Sequence, residues 1–159
     1  ACRQPTYMQL IRQRVGAIFD ETCRFDPGRA VVLRPGAAVT LVSTGYMTHF
    51  ALPVARDLAA AGIDVELLHY PSVKPFDVAS LVRSAQKTGR VVSVENQSVI
   101  GGLGGAVCEV LAEHCPVPVR RLGVPDQFGE VASEPYLMEK HGFGPRHIAE
   151  ACRRAVAGA

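Results

Sequence analysis

The chain has 159 residues, of which 48% are hydrophobic and 20% charged, with a formal net charge of +2. That length and composition fit one globular domain, exclude intrinsic disorder, and leave no room for two full α/β domains. The charge is too small to draw nucleic acid or a membrane surface by itself, and no apolar run approaches the roughly 18 residues of a membrane span.

Residues 1–29 stand apart. Residues 6–11 have the makings of a strand and residues 17–19 of a shorter extended piece, and Asp26-Pro27-Gly28 is a turn. From residue 30 onward, apolar β-branched runs alternate with helical patterns, punctuated by Pro and Gly. Residues 30–33 form a short strand, ended by Arg34-Pro35-Gly36. Residues 38–43 (AVTLVS) are almost wholly apolar, as a strand covered on both faces must be. A helix follows over 46–61, with Phe50, Val54, Leu58 and Ala61 at helical spacing and Gly62 at its end. Residues 63–70 are the next strand, and Asp77 caps a helix that runs to Gln86 before Gly89. Residues 90–95 (RVVSVE) are a strand, Gly101-Gly102-Leu103-Gly104-Gly105 opens a helix to His114, and residues 117–122 are a further strand. Two short helices close the chain, over 133–140 and 145–156, the second with Pro145 at its first position. Strand and helix alternating in this way predict a largely parallel sheet with helices on both faces.

Local chemistry offers few candidates. The glycine-rich stretch could cradle an anion at a helix N-terminus, but it matches neither GxGxxG nor a Walker loop, so close packing of that helix is the simpler reading. Glu95 and Asn96 end a central strand, where ligands of open α/β sheets gather; Glu95 could equally meet the following helix N-terminus. Ser43 and His49 lack a GxSxG elbow and a third partner, which argues against nucleophilic catalysis. His69, His114, His141 and His147 show no metal-ligand spacing, and His147 reads as a surface residue. Asp126 is placed to bind backbone amides in its turn, and Phe128 to anchor that loop. Cys2, Cys23, Cys108, Cys115 and Cys152 are odd in number and lack a CxxC pair, so neither a disulfide framework nor a zinc ribbon is read from them. Cys108 and Cys115, seven apart, read as small buried residues. Reduced thiols and no secretory leader make a cytoplasmic location the expectation.

Four segments together resemble the C-terminal domain of the transketolase family of thiamine diphosphate enzymes. Gly36-Ala37-Ala38-Val39-Thr40-Leu41-Val42-Ser43-Thr44-Gly45 is similar to its opening strand and turn, and Val73-Lys74-Pro75-Phe76-Asp77 to its "lKPlD" turn. Val91-Val92-Ser93-Val94-Glu95-Asn96-Gln97-Ser98 followed by Gly101-Gly102-Leu103-Gly104-Gly105-Ala106-Val107 resembles "vvtvEnhs..GGlGsaV", and Leu122-Gly123-Val124-Pro125-Asp126-Gln127-Phe128 resembles "lGi.D.F". They fall in the family's order over residues 25–157. Pro5-Thr6-Tyr7-Met8-Gln9-Leu10-Ile11-Arg12 resembles "PvYiRlgR", the last strand of the preceding pyrimidine-binding domain, with Gln9 in place of the first Arg and Ile11 in place of Gly.

The resemblance implies a three-layer α/β/α sandwich on a mixed five-stranded sheet whose first strand is antiparallel. Residues 1–29 are then the end of the preceding domain plus a linker, residues 30–159 the C-terminal domain, and the chain a piece of a longer subunit. The parent enzyme would transfer a two-carbon ketol unit between sugar phosphates with thiamine diphosphate and Mg²⁺. In the family those ligands lie on other domains, so no catalytic, cofactor-binding or metal residue carries over, and this chain alone is expected to bind no cofactor and to be inactive. Its role would be packing against the N-terminal and pyrimidine-binding domains and forming a homo-oligomer. Glu95, Asn96, Gly101, Gly102, Gly104 and Gly105 are the candidates for that contact surface. Two alternatives lie within the superfamily: the β subunit of a 2-oxo acid dehydrogenase decarboxylase, and deoxyxylulose-phosphate synthase. A third is an autonomous flavodoxin-like phosphate-binding module.

Overall fold

Successive apolar residues on the three central strands, buried on both faces, dictate a sheet sandwiched between helices. A computed structural model of the chain describes residues 5–12 and 14–158. Cys2 lies outside the described residues. The elements are β1 (Val31–Arg34), β2 (Val39–Thr44), a short 3-10 turn (Gly45–Met47), α1 (Thr48–Ala60), β3 (Val65–Tyr70), α2 (Val78–Thr88), β4 (Val91–Ser98), α3 (Leu103–His114), β5 (Val119–Val124), α4 (Glu134–His141) and α5 (Pro145–Ala157). The strands form one sheet in the order β1-β3-β2-β4-β5. β3, β2, β4 and β5 run parallel, and β1 pairs antiparallel with β3, Val31 opposite His69.

The two faces have separate cores. Val39 and Leu41 of β2, Val65 and Leu67 of β3, and Val92 and Val94 of β4 point to one side, against Ala51, Ala55 and Leu58 of α1 and Ile148 and Cys152 of α5. The alternate residues Val42, Leu68, Tyr70 and Val91 face Leu81 and Ala85 of α2 and Leu103, Val107 and Leu111 of α3. This is the period-2 rule acting on strands covered twice. One polar cluster lies in the second layer. Glu66, 4% exposed, accepts from Ser84 and pairs with Lys87, while Thr40 bonds both Ser84 (2.6 Å) and Thr88 (2.7 Å).

Element boundaries moved where backbone chemistry competes with hydropathy. β5 starts at Val119 instead of residue 117, because Pro118 has no N–H to give the ladder and contributes only its carbonyl, to the Val91 amide at 3.0 Å. β4 runs three polar residues past Glu95, and the Val99 amide extends that edge by donating to the Val124 carbonyl at 3.0 Å. The helix expected from residue 46 opens as the 3-10 turn, and α1 proper begins at Thr48 with Pro53 inside it. Gly62 and Gly89 take left-handed conformations after α1 and α2, as their positions predict. Gly36 has a steric reason of its own: a Cβ there would run into the β3 backbone at Val65 and Glu66. Asp77 caps α2, accepting from the Ser80 amide at 2.9 Å.

The strand expected at residues 6–11 does not form, nor does the extended piece at 17–19. A strand exists only by pairing, and neither segment joins the sheet; Tyr7, Met8 and Leu10 stand in solvent. At the other end, the Arg90 guanidinium holds the last turn of α5 by donating to the carbonyls of Ala155 (3.1 Å) and Val156 (2.8 Å). Arg90→Ala should cost about 1 kcal/mol and speed amide exchange in that turn selectively, which hydrogen exchange by mass spectrometry would read.

Candidate functional site

The carboxyl ends of β2, β4 and β5 form the edge where ligands of such sheets gather. Glu95 is central there and 2% exposed. It lies on the α3 side of β4, and its two carboxylate oxygens accept from the Leu103 and Gly104 amides, each at 2.8 Å. The side chain therefore satisfies two of the orphan N–H groups at the start of α3 and places negative charge at the positive end of the helix. Burial raises its pKa above the ordinary carboxylate range, against the pull of the two amides and of Arg121. Gly102 exists to admit it: a Cβ there would lie 2.7 Å from the Glu95 carboxyl carbon and overlap one oxygen. Gly104 lets the helix approach Ser93 and Arg121, which a Cβ would meet at 2.9 Å. Of the two readings open for Glu95, the cap is the one the geometry realises.

The loop between β4 and α3 is held from outside as well. Arg121 donates to the Val99 carbonyl at 2.8 Å, and the Ile100 amide donates to Ser98 Oγ at 3.1 Å. Of the six contact candidates, Glu95 and Gly104 are buried, Asn96, Gly102 and Gly105 are partly exposed, and Gly101 is exposed.

Ser43 is not a nucleophile in waiting. Its hydroxyl is buried against Thr48 Oγ1 at 2.9 Å, and Thr48 bonds Nδ1 of His69 at 2.8 Å. His69, the register partner of Ser43 on β3, is the histidine that belongs here, not His49. Burial holds its pKa down to about 4. Its ring is covered by Phe19, with centroids 5.2 Å apart. Nearby, the Ala30 amide donates to Asp77 Oδ2 at 3.0 Å, and a groove of about 410 Å³ lies among Phe19, Phe25, His69 and Pro71.

Four expectations about side chains are corrected. Phe128 anchors nothing: it is fully exposed, because the loop turns its apolar side chains away from the domain. Asp126 is exposed too, and its turn is closed instead by the Gln127 amide donating to the Pro125 carbonyl at 2.8 Å. His147 is half-buried, with Nδ1 3.8 Å from Glu139, since α5 packs that side toward the α4–α5 junction. Cys108 and Cys115 are only partly buried. Cys152 is fully buried, which pushes its thiol up to about 12. Among the described residues no group of three His, Cys, Asp or Glu is placed to hold a metal ion.

Four parallel strands in the order β3-β2-β4-β5 with helices on both faces define a doubly wound α/β domain, extended at one edge by an antiparallel strand. The chain belongs to the transketolase C-terminal domain family, whose model matches residues 28–148. It is 49% identical over 152 residues to a 6-deoxy-6-sulfo-D-fructose transketolase subunit, SqwH, of Clostridium sp. strain MSTE9, covering 96% of this chain and 47% of that subunit. It is 36% identical over 143 residues to 1-deoxy-D-xylulose-5-phosphate synthase of Heliobacterium modesticaldum, covering 87% of this chain and 22% of that enzyme. Among solved structures, a split-gene transketolase described as an inactive β4 tetramer superposes with a TM-score of 0.85 at 45% identity, over 90% of this chain and 47% of that one. The chain thus spans less than half the length of these proteins. Glu95 already fills the α3 N-terminus at which an autonomous flavodoxin-like module would hold a phosphate, which favours the family reading.

Proposed function

We propose that this chain is the C-terminal part of one subunit of a split transketolase, whose complete assembly transfers a two-carbon ketol unit between sugar phosphates using thiamine diphosphate and Mg²⁺. The likeness to the transketolase subunit over 96% of the chain carries this reading, and its identity of 49%, against 36% for the synthase, favours it over that relative. Residues 1–29 are read as the end of a preceding domain and its linker, and residues 30–159 as the family domain. Asn96, Gly101, Gly102 and Gly105 supply contact surface, while Glu95 and Gly104 hold the loop that presents it.

This chain's residues do not suit the diphosphate. The one glycine-rich helix start that could attract it already carries the Glu95 carboxylate, bound by the two amides an anion would need. The chain's part is to fix the geometry of the sheet edge and to assemble with the other domains and with further copies of the subunit, in the cytoplasm. No helix among the described residues is long and apolar enough to cross a membrane.

Calorimetric titration with thiamine diphosphate and Mg²⁺ tests this, first on the chain alone and then with the remaining domains. No heat from the chain alone, with binding and ketol transfer in the complete assembly, is the expected result. Binding by the chain alone would overturn the assignment of the cofactor to other domains.

A further inference from the structure

The hydroxyl chain at the carboxyl end of β2 leads to an open groove. Ser43 Oγ meets Thr48 Oγ1 at 2.9 Å, and Thr48 Oγ1 meets His69 Nδ1 at 2.8 Å. His69, 7% exposed, lines the groove of about 410 Å³ between the linker and β3. The two hydroxyl protons have little freedom. Ser43 Oγ has no hydrogen-bond partner but Thr48 among the described residues. If Thr48 gave its proton to Ser43, the Ser43 proton would be left buried and unmet, which folded chains avoid. Every proton is matched when Ser43 donates to Thr48 and Thr48 donates to Nδ1. His69 then carries its own proton on Nε2. No group among the described residues accepts from Nε2, and the atom is not closed off from solvent; the groove is where it opens.

The walls define what would accept that proton. Phe19 and Phe25, with Pro71, supply apolar surface, and Phe19 leans on the imidazole. The four charged residues around them are unequal. Asp20 is turned onto Thr22, whose amide donates to it at 2.9 Å, and Asp26 faces Arg29 at 3.5 Å. Arg24 has no carboxylate partner among the described residues. One unpaired guanidinium and one neutral N–H donor beside two phenyl rings select a single negative charge on a flat apolar body. The volume is at the small end of the range for ligand pockets. A phosphate dianion matches less well, since it brings a second charge and a third oxygen and no surface for the rings.

We propose that this groove binds a small aromatic or heteroaromatic carboxylate, its oxygens accepting from His69 Nε2–H and from Arg24 and its ring lying against Phe19 and Phe25. The site is separate from the Glu95 loop and does not depend on the transketolase reading.

Benzoate is the probe, titrated into the full-length subunit carrying isotope-labelled histidine, with the imidazole nitrogens read by long-range proton–nitrogen correlation. The His69 signals are identified by their loss in His69→Gln. They should show a protonated Nε2 and a bare Nδ1 before benzoate is added, and should move saturably with it. Arg24→Ala and Phe25→Ala, both at exposed positions, should each weaken benzoate about tenfold, and benzamide, with the same ring and no charge, should bind about tenfold more weakly than benzoate. A proton on Nδ1, His69 signals that stay in place under benzoate, or equal benzoate affinity in wild type and Arg24→Ala would each overturn the proposal. Inorganic phosphate moving the same signals as strongly as benzoate would reduce the groove to an unselective anion site and overturn it too. Ketol transfer is measured separately: benzoate bound to an inactive assembly refutes the transketolase reading and leaves this site standing.

Discussion

Glu95→Ala is expected to lower the unfolding free energy by about 2–5 kcal/mol, since it strands two buried N–H donors and each such group costs roughly 1–3 kcal/mol. Those donors are the Leu103 and Gly104 amides, and the surroundings that exclude water from Glu95 offer them nothing else. Glutamine is no substitute. It brings one oxygen where two amides must be met, and its NH₂ would face a donor. Gly102→Ala attacks the same contact from the other side, because its Cβ displaces the carboxylate and also crowds the Ser98 carbonyl at 2.8 Å. Both singles should therefore unfold at lower urea, and the double variant should lose much less than the sum of the two. Strict additivity, or a loss below about 0.5 kcal/mol for Glu95→Ala, would show that the cap carries little of the fold.

The second large effect is a pH dependence. His69 titrates near 6.5 when the chain is unfolded and near 4 when folded, because burial disfavours its charged form. Between those values the unfolded chain binds a proton that the folded chain refuses. Stability is therefore fully present above pH 6.5 and is lost as pH falls toward 4. The loss should be about 2 kcal/mol between pH 7 and pH 5. Urea midpoints measured across that range should slope in the wild type. In His69→Gln, which keeps a hydrogen-bonding group near Thr48 but cannot titrate, the slope should flatten. Equal slopes in both proteins would place the proton elsewhere.

Much of this fold is legible in the sequence, for identifiable reasons. The runs ending at Ser43, Tyr70 and Glu95 are apolar on successive residues, which only strands covered on both faces tolerate. Asp77, Gly62, Gly89 and Pro145 mark helix ends through chemistry that is local to a few residues. The antiparallel direction of β1 is different, since four residues carry no sign of which way their neighbour runs; it follows from the family resemblance alone. Glu95 was readable as a residue with two possible duties, but the choice depends on where the α3 amides point. The Ser43–Thr48–His69 chain was missed because its outer members are 26 residues apart and meet only through the β2–β3 register. Phe128 was misread as an anchor for its own loop: hydropathy reports a wish for cover, not the direction from which it comes.

The strand order leaves β5 at the margin of the sheet, paired on one side only, with Arg120 and Arg121 both exposed along it. If two copies met edge to edge about a two-fold axis, the arginine-bearing stretch of one β5 would lie along that of its copy. Like charges held opposite one another across a ladder repel. That margin is thus guarded against the simplest form of sheet-to-sheet growth.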